Sequence, residues 1–188
     1  AKVSRRWAMP ARYYSKVFEG KGCSVRVVFI DTTPLIGKYR KDTETYPDAH
    51  RQDRDKQLAW LDSTLTAAKE DWVICVGHHP IYAQTPKADI ERADMQKYLL
   101  PVLRRHPNVS VYGCGHIHNF QHIKNSGDNI NYWVNSAAAL SRPVKPMDGT
   151  RWCDPSTGFT VISADKQQLT LFAINKDGKI LYQLPVKK

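Results

Sequence analysis

Two apolar runs, Trp72-Val73-Ile74-Cys75-Val76 and Val109-Ser110-Val111-Tyr112-Gly113-Cys114, constrain this chain more than anything else in it. Runs this short and this apolar, closed by glycine, read as strands buried in a sheet. Each leads into a glycine and then histidine: Gly77-His78-His79-Pro80 after the first, Gly115-His116-Ile117-His118-Asn119 after the second. A strand end holds a side chain rigidly while the loop beyond it leaves room for a ligand. Neutral imidazole is the commonest protein ligand for metals.

The remaining pattern builds a frame around these strands. Residues 12–18 and 24–30 read as two more strands, the second nearly continuous in Val, Phe and Ile. Residues 37–50 are polar and read as a long loop anchored by Tyr39 and Tyr46. Leu58, Leu61, Leu65 and Ala68 recur at helical spacing and predict a helix over 51–69. A second helix is expected from about Asp89 to Leu100, bent or restarted at Pro101. Strands at 119–124 and 130–134 flank the turn sequence Ser126-Gly127-Asp128-Asn129. An irregular stretch over 141–156 precedes three closing strands, 159–163, 169–174 and 180–184. Helices between early strands and antiparallel strands late in the chain imply an α/β (α+β) fold, a mixed β-sheet with helices on one face. At 188 residues the chain suffices for one domain with a real core.

The net charge of +10 suits an anionic partner such as a phosphate ester, a nucleic acid or an acidic surface. The Lys and Arg residues are scattered rather than blocked, so charge alone does not select nucleic acid. No apolar stretch approaches the length of a membrane span. The four cysteines match no zinc-ribbon spacing, and Cys75 and Cys114 read as small buried thiols.

Among the histidines, His116 and His118 would point the same way if the segment were extended. They would then flank one metal or each face one of two adjacent metals. His78 and His79 are neighbours, so their side chains diverge; one would ligate while the other meets substrate. Alternatively, His79 is a loop residue at a turn fixed by Pro80. His122 reads as structural, and His50 and His106 as surface residues. Tyr82 and Trp152 would either stack on a substrate or pack a loop against the core.

The string Gly-His-His-Pro-Ile-Tyr, about forty residues, then Gly-His-Ile-His-Asn resembles the last two signature blocks of the calcineurin-like metallophosphoesterases. The resemblance is to their tartrate-resistant, purple acid phosphatase-like branch. Flanking blocks agree in order: Arg6 to Tyr14, Phe29-Ile30-Asp31-Thr32, and Gln57-Leu58-Ala59-Trp60-Leu61. The resemblance implies that residues 1–188 are the C-terminal part of a four-layer αββα sandwich. It implies a dinuclear centre, iron paired with zinc, manganese or iron, that hydrolyses phosphate monoesters. In that centre His78 and His116 would hold the second, divalent metal, His118 the first, and His79 would line the phosphate pocket. Two such cations clamp the ester oxygens and acidify a bound water. Ile117 stands where the family often has an aspartate between the two histidines.

The family's early aspartate, its bridging aspartate with a nearby tyrosine, and its Gly-Asn-His block do not occur here. Asp31 aligns with a later strand and reads as a structural hydrogen-bonding residue. The expectation is therefore an incomplete fragment with little or no phosphatase activity and at most one weakly bound metal. Its expected partners are a phosphate-ester substrate, the upstream half of the same domain, and a second copy of itself. The resemblance also implies an extracytoplasmic location. Two alternatives stay open: a phosphodiesterase or nucleotidase of the same superfamily, set by the loops 37–50 and 141–156, or a non-catalytic basic module that binds an anion or a protein.

Overall fold

A computed structural model describes residues 9–20, 22–86, 89–136 and 138–188. The start of the first flanking block, Arg6-Trp7-Ala8, lies outside the described residues, as does Lys21 in the first turn. The described residues open with an antiparallel pair, β1 (Tyr14–Gly20) and β2 (Cys23–Phe29). A single 3-10 turn, Thr33–Leu35, leads to the short helix α1 (Gly37–Lys41). Helix α2 (Arg54–Ala67) follows, then β3 (Trp72–Val76), α3 (Ile90–Tyr98), α4 (Leu100–Arg104) and β4 (Val109–Cys114). The hairpin strands β5 (Phe120–Ile123) and β6 (Asn131–Val134) come next, then β7 (Thr150–Asp154). The chain closes with β8 (Gly158–Ala164), β9 (Gln168–Asn175) and β10 (Ile180–Lys187).

Strands β1 to β7 form one sheet in the order β1-β2-β3-β4-β6-β5-β7. Strands β2, β3, β4 and β6 run parallel, while β1 and β5 oppose them. The expected mixed sheet with helices is what forms. Strand β3 is apolar throughout and β4 nearly so, because both faces are covered. On one face Val73, Cys75 and Tyr112 pack with Leu61 and Leu65 of α2 and Met95 and Leu103 of the α3–α4 pair. On the other, Trp72, Ile74, Val111 and Trp133 pack with Leu169, Leu171 and Ala173 of a second sheet, β10-β9-β8. The layers are therefore helix, sheet, sheet. The chain's own C-terminal meander, β8 to β10, supplies the sheet that faces the larger one.

Local chemistry sets the element ends. Asp53 caps α2, its side chain accepting from the Lys56 backbone N–H at 2.9 Å. Pro101 falls in the first turn of α4, where its missing N–H costs nothing, so the helix restarts there rather than bending. Two segments read as irregular are ordered. Residues 37–50 contain α1, which offers no apolar stripe to read because Tyr39 is its one buried side chain. Residues 141–156 contain β7, which pairs with β5 and stacks Trp152 on Tyr182 at 4.6 Å between ring centroids. All four cysteines are free thiols, with Cys75 and Cys114 buried as expected. No helix among the described residues is long and apolar enough to cross a membrane.

Candidate metal site

Strands β2, β3 and β4 are parallel neighbours, so their carboxyl ends share one edge of the sheet. That edge is where ligands bind in open α/β sheets. It brings Thr32, His78-His79 and His116 together although they are far apart in sequence. The backbone locks the three strand ends: Ile30 N–H donates to Val76 O at 2.9 Å, Gly77 N–H to Gly113 O at 3.0 Å and Gly115 N–H to His78 O at 3.1 Å. Gly77 is required by close approach, since a Cβ there would lie 2.6 Å from Thr32 Cγ2 and 2.7 Å from the Tyr112 hydroxyl.

Among the described residues, the ligand atoms of His78, His79 and His116 lie within 4.8 Å of one another. His78 Nε2 and His116 Nδ1 are 2.9 Å apart. Neutral imidazoles suit zinc, copper, iron or nickel, so this pair fits one such ion as donors. His118 is not part of the group. Its backbone explains the difference from the extended geometry expected. His116 and His118 both sit in the left-handed region, φ 69° and 67°, so the segment turns instead of alternating. Ile117 between them is buried in the core.

His79 is held from every side. Its Nδ1 lies 2.7 Å from Thr32 Oγ1 and its Nε2 lies 3.1 Å from the Tyr39 hydroxyl. Its backbone N–H donates to Thr32 Oγ1 at 3.2 Å, and its carbonyl accepts from Tyr112 at 2.8 Å. Burial, then the charges of His78 and His116, push its pKa down to about 3, so the ring is neutral near pH 7. Ligating a metal would cost His79 one of its two ring hydrogen bonds.

Behind the histidines lies a carboxylate that sequence reading did not single out. Glu91, in the first turn of α3, is 4% exposed. Its Oε2 lies 2.9 Å from His116 Nε2, and its Oε1 accepts from the Tyr39 hydroxyl at 2.7 Å and pairs with the Lys38 ammonium. Burial opposes its ionisation, but Lys38, Tyr39 and the neighbouring His116 outweigh it and hold the carboxyl at about 2. Burial and then Glu91 raise the Tyr39 phenol well above its ordinary value. Lys38 and Tyr39 lay in the presumed loop. No sequence signal marked Glu91, because a glutamate at a helix start ordinarily faces water.

The remaining candidates fall elsewhere. His122 is buried between the Tyr182 hydroxyl and Asn131 Oδ1, at 3.0 and 3.2 Å, a structural position as expected. His106 is half-buried, its side chain 12% exposed and 2.9 Å from Asp62 Oδ1. His50 is exposed. Trp152 faces the second sheet and Tyr82 packs edge-on against Tyr132, so both rings pack against the protein itself. Asp31 accepts from the Thr33 N–H at 3.1 Å, a local structural bond.

The family model described as calcineurin-like phosphoesterase matches residues 3–120. Tartrate-resistant acid phosphatase type 5 of Sus scrofa is 28% identical over 97% of this chain and 57% of its own length. The Oryctolagus cuniculus protein of the same name is 31% identical over 100% of this chain and 61% of its own length. Purple acid phosphatase 3 of Arabidopsis thaliana is 28% identical over 84% and 45%. The chain thus spans less than two thirds of the length of these relatives. Among solved structures, GAP50, the anchor in the inner membrane complex of Plasmodium, superposes with a TM-score of 0.77 at 24% identity, over 97% of this chain and 56% of that one. A dimetal phosphatase from Danio rerio gives 0.61 at 18% identity, over 93% and 60%. At these identities the two structures show the shared fold.

Proposed function

This chain belongs to the calcineurin-like phosphoesterase family, and from that premise we propose that it carries the histidine side of the metal centre of an acid phosphatase-like phosphomonoesterase. The approach of His78 Nε2 to His116 Nδ1 at the shared strand edge supports this reading more than any other observation. In it His78 and His116 hold one divalent ion, His118 belongs to a second position, and His79 backs the phosphate pocket as a neutral, immobile ring. A bound metal would supply Lewis acidity towards the ester oxygens and lower the pKa of a water. The chain's own residues orient imidazoles: Thr32 and Tyr39 fix His79, and Gly77 lets the two strand loops close together.

Two-metal hydrolysis in this family also uses carboxylates. The histidine group assembled by the described residues contains none, and Glu91 is engaged by Lys38, Tyr39 and His116. On this reading the 188 residues form the C-terminal part of the domain, bind at most one metal, and turn over little or no ester. The test is direct. The purified chain is titrated with Zn²⁺ or Co²⁺ and assayed with p-nitrophenyl phosphate. We expect no more than one ion per chain, binding lost in His116→Ala, and no steady turnover. Two tightly held ions, or sustained hydrolysis, would reverse the reading of the chain as incomplete. Metal affinity unchanged in His116→Ala would reverse the site assignment.

A further inference from the structure

We infer that Glu91 is a positioning residue that fixes His116 as its Nε2–H tautomer and so turns the Nδ1 lone pair towards His78. The argument is one of donor and acceptor supply. Glu91 Oε1 faces the Lys38 ammonium and accepts the Tyr39 hydroxyl at 2.7 Å. A carboxylate so placed has only acceptor sites to offer, so the 2.9 Å contact from Oε2 to His116 Nε2 needs the proton on that nitrogen. The same logic runs back through Tyr39. Its single proton goes to Glu91, so His79 Nε2 donates to the phenol oxygen and His79 Nδ1 accepts from Thr32. Every partner in the chain from Thr32 to His116 then has one consistent proton position.

The scaffold is built to hold this arrangement. Asp94, one turn beyond Glu91 on α3, accepts the Gly37 backbone N–H at 2.7 Å and ties the start of α1 to α3. Helix α1 carries both Lys38 and Tyr39. A metal-binding imidazole is commonly oriented by a carboxylate on its other nitrogen, and loss of such a partner typically costs ~10–100-fold in affinity. This inference deepens the proposed metal role of His116, but the tautomer is measurable without any metal.

The first experiment is a two-bond ¹H–¹⁵N correlation of the metal-free chain at pH 8. We expect the Nε2–H pattern for His116; a predominant Nδ1–H ring overturns the inference. The second is Co²⁺ binding followed by visible absorption. Glu91→Leu should weaken binding ~10–100-fold, and Glu91→Gln, whose carbonyl can still accept from Nε2–H, should recover part of that loss. Lys38→Met should weaken it far less than Glu91→Leu does. Equal losses in Glu91→Leu and Lys38→Met, with no recovery in Glu91→Gln, would reduce Glu91 to a plain ion-pair partner and overturn the inference. If a variant does not fold, the wild-type tautomer still decides. Failure of the wild type to bind Co²⁺ with the Nε2–H tautomer present would count against the metal function alone.

Discussion

At Gly77 a single methyl group decides whether the site can close. A Cβ there would overlap Thr32 and the Tyr112 hydroxyl, the two groups that hold the ring and the carbonyl of His79. Gly77→Ala should therefore cost ~1–3 kcal/mol through overpacking, read as a lowered urea midpoint, and should displace the His79 ring signals. A change in neither would show that the strand ends have slack. His122 makes a second prediction, one of pH. Burial pushes its pKa down to about 4; the bond to Asn131 works against that fall, and the charges of Lys124 and Arg151 add to it. The unfolded chain binds this proton near pH 6.5 while the folded chain refuses it until about pH 4. Its share of the stability is thus complete above pH 6.5 and drains away as pH falls towards 4. At about 1.4 kcal/mol per pKa unit, the whole change is on the order of 3–4 kcal/mol. Denaturation of wild type and His122→Gln at pH 7.5 and pH 5 checks the sign: the variant should lose less on acidification.

At the scale of elements, what could be read from sequence followed the length and locality of each signal. Strands β3 and β4 were legible because an apolar run closed by Gly-His is a local pattern. Helix α2 was legible because Leu61 and Leu65 repeat at the helical period. Helix α1 and strand β7 were not. One is five residues long with a single buried ring, and the other is a strand through its pairing with β5 and the stacking of Trp152. The histidines of the site were visible for the same local reason, whereas Glu91 depends on where α3 docks. That docking rests on Met95, which is wholly buried one turn beyond Glu91. Met95→Ala should cost ~2–5 kcal/mol through the cavity it leaves, measurable by chemical denaturation. Because Glu91 rides on the same helix, Co²⁺ affinity should fall as well. A full loss of stability with metal affinity intact would show that Glu91 is held by α1 rather than by α3.

At the scale of the whole molecule, the two sheets of the described residues have four edges, and three are guarded. Strand β1 carries Lys16 and Glu19, β7 carries Arg151 and Asp154, and β10 carries Pro185 and Lys187. Charge and proline are the usual means of keeping an edge from pairing with another chain. Strand β8, Gly158-Phe159-Thr160-Val161-Ile162-Ser163-Ala164, has neither, and among the described residues it pairs with β9 alone. Phe159, Val161 and Ile162 are 50%, 43% and 44% exposed, and Ile162 and Ala164 lead into a trough lined by Phe18, Val25, Val27 and Ile74. The edge and the trough are continuous, so a strand added to β8 would cover both. We expect a second copy of this chain to take that place in solution. The +10 charge opposes such pairing, and salt screens the repulsion over a distance of ~10 Å at 0.1 M. Association should therefore strengthen with added salt, the reverse of an ion-pair interface. Val161→Lys places a charge on the exposed side of the strand, where it leaves the inward Thr160 bond to Trp133 intact. Sedimentation should show wild type gaining mass with concentration and with salt while Val161→Lys stays monomeric. A wild type that remains monomeric at high concentration in 1 M salt would mean that the β8 edge does not pair with a second copy.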